Sequence, residues 1–157
     1  MSCYYKTLPF LIPELLLFAQ RGSEVSIVSP WIENVRLRPP LIVAGRQRRT
    51  QTELHLSELL ILLGEELNLH FILLLREQDY RTRSVTQPVR SALGARLEVL
   101  EVQHLHAKML VTNRLVLETS ANLLATSLYR NVESCQVMVN PYNNVRTYIR
   151  EKLSIPV

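Results

Sequence analysis

The sequence contains almost no aspartate and very little lysine. Asp79 is the only aspartate among 157 residues, and Lys6, Lys108 and Lys152 are the only lysines, so arginine supplies nearly all of the positive charge. Enzymes that hold two divalent metal ions need several converging carboxylates, most often aspartates. Such a site would have to be built here almost wholly from glutamates. The composition therefore argues against a two-metal nuclease or phosphatase.

Cysteines and long apolar segments are also scarce. Cys3 and Cys135 lie far apart without CxxC spacing, which is not a disulfide framework and favours a reducing compartment. The apolar stretch 8–19 is interrupted by proline and glutamate and lacks the basic start of a signal peptide. The leucine-rich stretch 54–75 is interrupted by glutamates. We therefore expect no signal peptide, no transmembrane helix, no membrane partner and a cytoplasmic location.

What the chain does contain is typical of one folded domain with a mildly basic surface. Hydrophobic residues make up 47% and charged residues 20%, and the net charge is +4. This apolar content and length allow a single core, so we expect one domain over residues 1–157. The positive charge is compatible with a polyanionic partner such as nucleic acid.

Helical and strand patterns alternate along most of the chain. Alternation of strands with helices implies parallel neighbours joined by right-handed crossovers, and a late hairpin with its turn at Asn113–Arg114 adds antiparallel pairing. The predicted class is α/β, with a mixed, mostly parallel β-sheet flanked by helices. The predicted helices cover 9–20, 52–67, 81–93, 121–129 and 141–153, and the predicted strands cover 24–28, 69–75, 96–102, 104–112, 115–118 and 133–139.

The strand predicted at 104–112 carries the residues most suggestive of chemistry. Side chains at alternate positions of a strand share one face, so His104, His106 and Lys108 are expected to point the same way. An imidazole beside a cation suits phosphoryl chemistry, because the histidine can attack phosphorus or transfer a proton and the lysine can neutralise a phosphate oxygen.

Three polar residues downstream complete the candidate site. Ser120 and Asn122 follow the next strand, at the start of a predicted helix, where they would add neutral donors. Glu133 opens a later strand, and we expect it to accept a hydrogen bond from His106 and fix the tautomer of that ring. The candidate catalytic residues are therefore His106, Lys108, Ser120, Asn122 and Glu133.

These residues resemble the signature of the phospholipase D superfamily, in which H-x-K is followed by an aspartate and then by Gly-Ser-x-Asn. Here the segments are His106-Ala107-Lys108 and Thr119-Ser120-Ala121-Asn122, and Glu133 resembles the family's glutamate that orients the histidine. The Ser-Pro-Trp-Ile after the first predicted strand is a further similarity. Two positions depart from the pattern, because Asn113 replaces the aspartate and Thr119 replaces the glycine.

The resemblance implies a phospholipase D-like fold and a shared active site. Family members use two such motifs related by twofold symmetry, so one motif in a short chain implies a homodimer. One His106 would attack phosphorus and form a phosphohistidine, and the other would protonate the leaving oxygen and then activate water. The resemblance also implies that no metal and no other cofactor is needed. The motif thus implies a hydrolase that acts on a phosphodiester. Small size, soluble composition, basic charge and the arginine clusters favour nucleic acid over lipid, and we expect a DNA endonuclease, as small single-motif relatives typically are.

Several other residues have both a functional and a structural interpretation. Trp31 would stack on a base or sugar, or serve the core or a dimer interface. His104 and His106 form a His-x-His pair that zinc can use, but a third ligand would have to come from His55 or His70 on other elements. Exposed arginines would bind a nucleic-acid backbone or simply lie in solvent. The arginines in question are Arg46, Arg48, Arg49, Arg81 and Arg83.

Two alternative functions follow from the same residues. The substitutions at Asn113 and Thr119 favour a catalytically silent subunit that binds nucleic acid within a larger complex. A phospholipase or phosphatidyltransferase would instead need an exposed apolar surface, for which the stretch 8–18 is the only candidate.

Overall fold

The computed structural model describes residues 2–4, 7–38 and 53–157, with side chains described for the second and third ranges. Helices lie on both faces of a central sheet. The described strands are β1 (Ser2–Tyr4), β2 (Glu24–Val28), β3 (Arg36–Leu37), β4 (Leu54–His55), β5 (His70–Leu75), β6 (Leu97–Glu101), β7 (Met109–Val111), β8 (Leu115–Thr119) and β9 (Ser134–Val139). The described helices are α1 (Leu8–Leu17), α2 (Leu56–Leu67), α3 (Tyr80–Leu93), α4 (Ala125–Tyr129) and α5 (Val145–Leu153).

Seven of these strands form one mixed sheet in the order β1-β9-β8-β7-β2-β5-β6, while β3 and β4 pair separately. The mixed α/β class is confirmed. Within the described part of the chain, β2–β5 and β5–β6 are parallel, whereas β1–β9, β9–β8, β8–β7 and β7–β2 are antiparallel. Five of the seven described strands of this sheet run in the same direction, and only β7 and β9 run the opposite way. The expectation of a mostly parallel sheet therefore holds for strand direction. It does not hold for neighbouring pairs, most of which are antiparallel. The antiparallel pairs come from the hairpin β7–β8 and from β1 and β9, the first and last strands along the chain.

Each face of the sheet has its own apolar cluster. On β5, Phe71, Leu73 and Leu75 face one cluster with α1, α2 and α3, while Ile72 and Leu74 face a second cluster with α5. This alternation explains why the apolar run in β5 is continuous, since a central strand covered on both sides buries every side chain. The prediction of a buried central strand there is confirmed.

Local signals set the starts of α3 and α5. Asp79 accepts a hydrogen bond from the Thr82 backbone N–H at 2.9 Å and so caps α3, and Asn144 accepts one from Thr147 at 2.8 Å and caps α5. At the other end of α3, Gly94 has a φ of 57°, a conformation that glycine adopts without strain. The predicted start of α3 lies one residue from the observed start, whereas α4 and α5 begin four residues later than predicted.

The amino-terminal strand β1 was not predicted. It lies antiparallel to β9, with Cys3 opposite Cys135. Cys135 is buried and disulfide-bonded. The spacing of the two cysteines did not predict this bond, because spacing along the sequence does not show which positions two strands bring face to face.

Strand directions define two edges of the sheet. The edge at which β2, β5, β6 and β8 end, and at which β7 and β9 begin, is called the carboxyl edge below. The opposite edge is called the amino edge, and it includes the β7–β8 turn and the first residue of β5, His70.

Candidate active site

The H-x-K segment lies at the carboxyl edge, but not on a strand. Strand β7 begins only at Met109, so His104, His106 and Lys108 precede it, and the prediction that they share one strand face is wrong. His104 has a φ of 60°, in the left-handed region that a strand does not contain, and the Leu105 N–H donates to the Val102 carbonyl at 3.2 Å in a turn. Burial of Leu105 in the α5 cluster accounts for this bend.

The bend brings the Lys108 ammonium into contact with the backbone of His106. The Lys108 Nζ donates to the His106 backbone carbonyl at 2.8 Å, while the His106 side chain is exposed at the surface. The backbone of Lys108 is held in turn by β8, because the Thr119 N–H donates to the Lys108 carbonyl at 3.0 Å. This bond joins the H-x-K segment to the loop that carries Ser120 and Asn122.

Ser120 and Glu133 meet across the antiparallel pair β8–β9. The Ser120 hydroxyl donates to Glu133 Oε2 at 2.5 Å and accepts from the Ser134 N–H at 2.9 Å. Glu133 Oε1 accepts from the Asn131 amide at 3.2 Å. Among the described hydrogen bonds, neither oxygen of Glu133 accepts from His106, so the expected bond between those two residues is not present. The β8–β9 register, which pairs Thr119 with Cys135, places Ser120 beside Glu133 instead.

Thr119 fits its position through its hydroxyl. Its Oγ1 donates to the Ser134 carbonyl at 2.8 Å and accepts from the Ala121 N–H at 3.1 Å. These two bonds fix the loop between β8 and α4 and so support Ser120 on one side and Asn122 on the other. A threonine in place of the family's glycine is therefore compatible with an ordered loop.

Asn122 carries an unsatisfied polar atom in this loop. Its Oδ1 is buried and has no hydrogen-bond partner within the described part of the protein. A buried acceptor without a partner raises the free energy of the fold, so it calls for an explanation such as a bound group. The membership of Asn122 in the candidate site stays a prediction from the motif.

Asn113, the residue at the family's aspartate position, lies at the amino edge. It is 8% exposed in the β7–β8 turn, and its Nδ2 donates to the Gln20 side-chain oxygen at 2.8 Å. The turn itself is the predicted hairpin, with the Thr112 N–H donating to the Leu115 carbonyl at 2.8 Å. Asn113 thus anchors the hairpin to the segment after α1 and does not contact the candidate site.

Sequence reasoning missed Arg76, which follows β5 at the carboxyl edge. Its Nη2 donates to the Leu105 carbonyl at 3.1 Å, and its guanidinium carbon lies 4.7 Å from the centre of the Trp31 ring. Arg76 therefore supports the segment directly before His106. Its position immediately after a buried strand is the signal that was available, because the carboxyl ends of such strands are where sites form. Trp31, for which a core or stacking role was left open, is partly buried against this guanidinium.

The predicted nucleic-acid-binding arginines fall into two groups. Arg46, Arg48 and Arg49 lie outside the described residues. Arg81 and Arg83 are exposed in the first turn of α3, at the carboxyl edge. The hydrogen bond from Arg81 to the Tyr80 hydroxyl raises the pKa of the Arg81 guanidinium, which keeps it charged.

Two negative findings apply to the described ranges. In residues 7–38 and 53–157, no group of three or more histidine, cysteine, aspartate or glutamate side chains is arranged to hold a metal ion. His104 and His106 thus have no third ligand in this part of the protein. None of the described helices has the length and apolar character that crossing a bilayer requires.

Comparison with known proteins identifies the fold. No protein-family model and no curated protein matches the sequence. Among solved structures, Nuc from Salmonella typhimurium, a phospholipase D family member, is similar with a TM-score of 0.64 and 11% identity, over 98% of this chain and 88% of that one. NucT from Helicobacter pylori is similar with a TM-score of 0.59 and 10% identity, over 98% and 92%. The archaeal chromatin protein TrmBL2, whose structure shows a mode of DNA binding, has a TM-score of 0.54 and 14% identity, over 98% and 50%.

Proposed function

We propose that this chain, which has a phospholipase D-like fold, is a phosphodiesterase that cleaves nucleic acid, with DNA favoured as the substrate. The observation that carries the proposal is the convergence at the carboxyl edge of His106 and Lys108 with Ser120, Asn122 and Glu133. The Thr119–Lys108 backbone bond joins the two segments that carry these residues. All five candidate catalytic residues therefore lie at one edge of one sheet.

The chemistry follows from the residue types. A nitrogen of the His106 imidazole attacks phosphorus, a P–N bond forms, and the P–O bond to the leaving alcohol breaks. The leaving oxygen takes a proton from the His106 of a second copy, which then removes a proton from the water that hydrolyses the phosphohistidine. Lys108 and Asn122 stabilise the charge on the non-bridging oxygens. No metal ion or other cofactor takes part in this scheme.

The scheme requires two copies of the chain, because one chain supplies one nucleophile and no separate acid. We infer a homodimer in which a twofold axis passes between two carboxyl edges. His106 is exposed, which such an arrangement needs. A sedimentation mass equal to one chain at working concentration would contradict the shared site.

The choice of nucleic acid as substrate rests on charge and on the similar structures. Arg81 and Arg83 are exposed at the carboxyl edge, and the chain is basic overall. Nucleic-acid binding by Arg46, Arg48 and Arg49 stays a prediction, as does a cytoplasmic location. The lipid alternative has less support, because much of the stretch 8–18 packs inside the protein. Its buried members are Leu8, Pro9, Ile12, Pro13, Leu15 and Leu16.

One observation favours the silent-subunit alternative. Glu133 is hydrogen-bonded to Ser120 and Asn131 and not to His106, so no carboxylate within the described residues is seen to orient the candidate nucleophile. A subunit that binds nucleic acid without turnover would retain the basic edge and the fold. The decisive experiment must therefore separate binding from cleavage.

Purified protein should be incubated with single-stranded and duplex DNA, with and without EDTA. We expect cleavage that survives EDTA, disappears in His106→Ala and persists in His70→Ala, a control histidine that is exposed at the amino edge. Strict dependence on added metal would contradict the histidine mechanism. Binding without cleavage by the unaltered protein would favour the silent subunit.

A further inference from the structure

Two arginine–aromatic pairs lie side by side after β2 and β5. In the first, the Arg76 guanidinium carbon is 4.7 Å from the centre of the Trp31 ring. In the second, the Arg81 guanidinium carbon is 5.5 Å from the centre of the Tyr80 ring, and its Nε donates to the Tyr80 hydroxyl at 3.0 Å. We call these four residues the arginine–aromatic strip.

The strip is continuous with the candidate active site. Arg76 donates to the carbonyl of Leu105, the residue before His106. The first turn of α3, which carries Tyr80 and Arg81, is held near Trp31 by a bond of 3.4 Å from the Thr82 hydroxyl to the Ile32 carbonyl. A ligand that follows the strip would therefore reach the H-x-K segment at one end.

Exposure and charge show that the strip is not a core element. Tyr80 is 72% exposed, although a tyrosine normally buries much of its ring. Four carboxylates lie near the strip in the chain or in contact with its neighbours. Asp79, Glu33 and Glu101 accept hydrogen bonds from Thr82, Ala125 and Gln78, and Glu77 is exposed to solvent. Arg76 also has a buried Nε without a partner in the described part of the protein. The strip thus presents aromatic rings beside guanidinium groups.

We propose that the arginine–aromatic strip binds single-stranded nucleic acid and leads it to His106. Unpaired bases stack on aromatic rings, and guanidinium groups neutralise the phosphates between them. A duplex keeps its bases stacked inside, so the Tyr80 ring has no base face to contact. This inference rests on the proposed phosphodiesterase function and adds to it the strand form of the substrate and the residues that select it.

Trp31 provides the readout, because it is the only tryptophan in the chain. Its fluorescence should be followed in the His106→Ala background while oligothymidylate, oligouridylate or a DNA duplex of about 12 nucleotides is added. We expect both single strands to quench the emission and the duplex to bind at least about tenfold more weakly. The relative affinity for oligothymidylate and oligouridylate tells whether the ligand is DNA or RNA.

Variants at matched positions test the two pairs. Tyr80→Ala should weaken binding of the single strands roughly tenfold, and Arg81→Ala should lower the slope of log affinity against log salt by about one. Tyr142→Ala and Arg114→Ala remove an exposed tyrosine and an exposed arginine at the amino edge, and they should bind like the parent.

Three results would overturn the strip. They are a Trp31 emission that does not change on binding, affinities of Tyr80→Ala and Arg81→Ala equal to those of the controls, and a duplex that binds as tightly as a single strand. The proposed phosphodiesterase function is tested independently of the strip with bis(p-nitrophenyl) phosphate, a phosphodiester too small to contact the strip. If the unaltered protein does not hydrolyse this compound, the proposed function is contradicted, whatever the strip binds.

Discussion

Ionisation of Tyr148 will destabilise the fold between about pH 10 and pH 12. Tyr148 lies in α5 with a relative exposure of 0%, and its hydroxyl donates to Glu118 Oε1 at 3.0 Å. Burial, together with this hydrogen bond and the carboxylate charge, raises the pKa of Tyr148 to about 12. The neutral form is therefore the one that the folded protein stabilises.

The magnitude and sign follow from proton linkage. An unfolded chain releases the tyrosine proton near pH 10, so between that value and the folded pKa the native state holds more protons than the unfolded state. The free energy of unfolding is then unaffected below about pH 10 and falls by about 2–3 kcal/mol as the pH rises to about 12. Tyr148→Phe lacks the ionisation and loses only the hydrogen bond, which contributes about 1 kcal/mol.

Urea unfolding of the wild type, Tyr148→Phe and Tyr142→Phe across this pH range tests the argument. The wild type should be more stable than Tyr148→Phe at pH 9, and the order should reverse near pH 12, while Tyr142→Phe follows the wild type. Tyr129, whose pKa is also raised by burial, titrates in all three proteins and cancels in the difference. A constant difference between wild type and Tyr148→Phe across the range would refute the reasoning.

Three further predictions concern packing, the hairpin and surface charge. Gly64→Ala would place its Cβ 2.4 Å from Leu93 Cδ1, and this clash costs about 1–3 kcal/mol. Alanine regains about 1 kcal/mol of helix propensity, so we expect a net loss of up to about 2 kcal/mol in urea unfolding, and a clear gain in stability would contradict the close packing of α2 on α3. Asn113→Ala leaves the Gln20 side-chain oxygen without its hydrogen-bond donor, so the free energy of unfolding should fall by about 1–2 kcal/mol while oligonucleotide affinity stays the same. A loss of affinity at equal stability would instead give Asn113 a role in binding. Arg146 forms ion pairs with Glu24 at 2.8 Å and Glu98 at 2.7 Å, and all three side chains are about one-third exposed. Arg146→Met should therefore lower the free energy of unfolding by about 0.5–1 kcal/mol at low salt and by less in 1 M salt. Equal losses at both salt concentrations would rule out an electrostatic origin.

The strands and helices that could be predicted are those whose pattern is decided locally. Strand β2 was predicted with its observed bounds, and β5 was recognised as a buried central strand, because an apolar run of that length has few other uses. Strand β7 was predicted too long, because His104, His106 and Lys108 alternate as strand residues do. The turn that removes them from the strand depends on Leu105 packing against distant residues, which a local pattern does not show.

The motif named the members of the candidate site, whose catalytic roles stay predictions, but it did not show their contacts. The motif brought together His106, Lys108, Ser120, Asn122 and Glu133, and the structure places all five at the carboxyl edge. The predicted hydrogen bond from His106 to Glu133 was wrong, because the partner of Glu133 depends on the register of β8 against β9. Arg76 was overlooked for a related reason. It supports the candidate site through a hydrogen bond to the Leu105 carbonyl, which lies 29 positions further along the chain.

The division of the interior into two clusters also has a dynamic consequence. Three helices, α1, α2 and α3, cover one face of the sheet, whereas α5 covers the other with Val145, Tyr148 and Ile149. Cooperative units with little buried apolar surface open before the whole protein unfolds. The amides of α5 should therefore exchange with solvent deuterium sooner than those of β5. Because the Tyr148 hydroxyl holds Glu118, one residue before Thr119, each such opening should loosen the strand that supports the loop carrying Ser120 and Asn122.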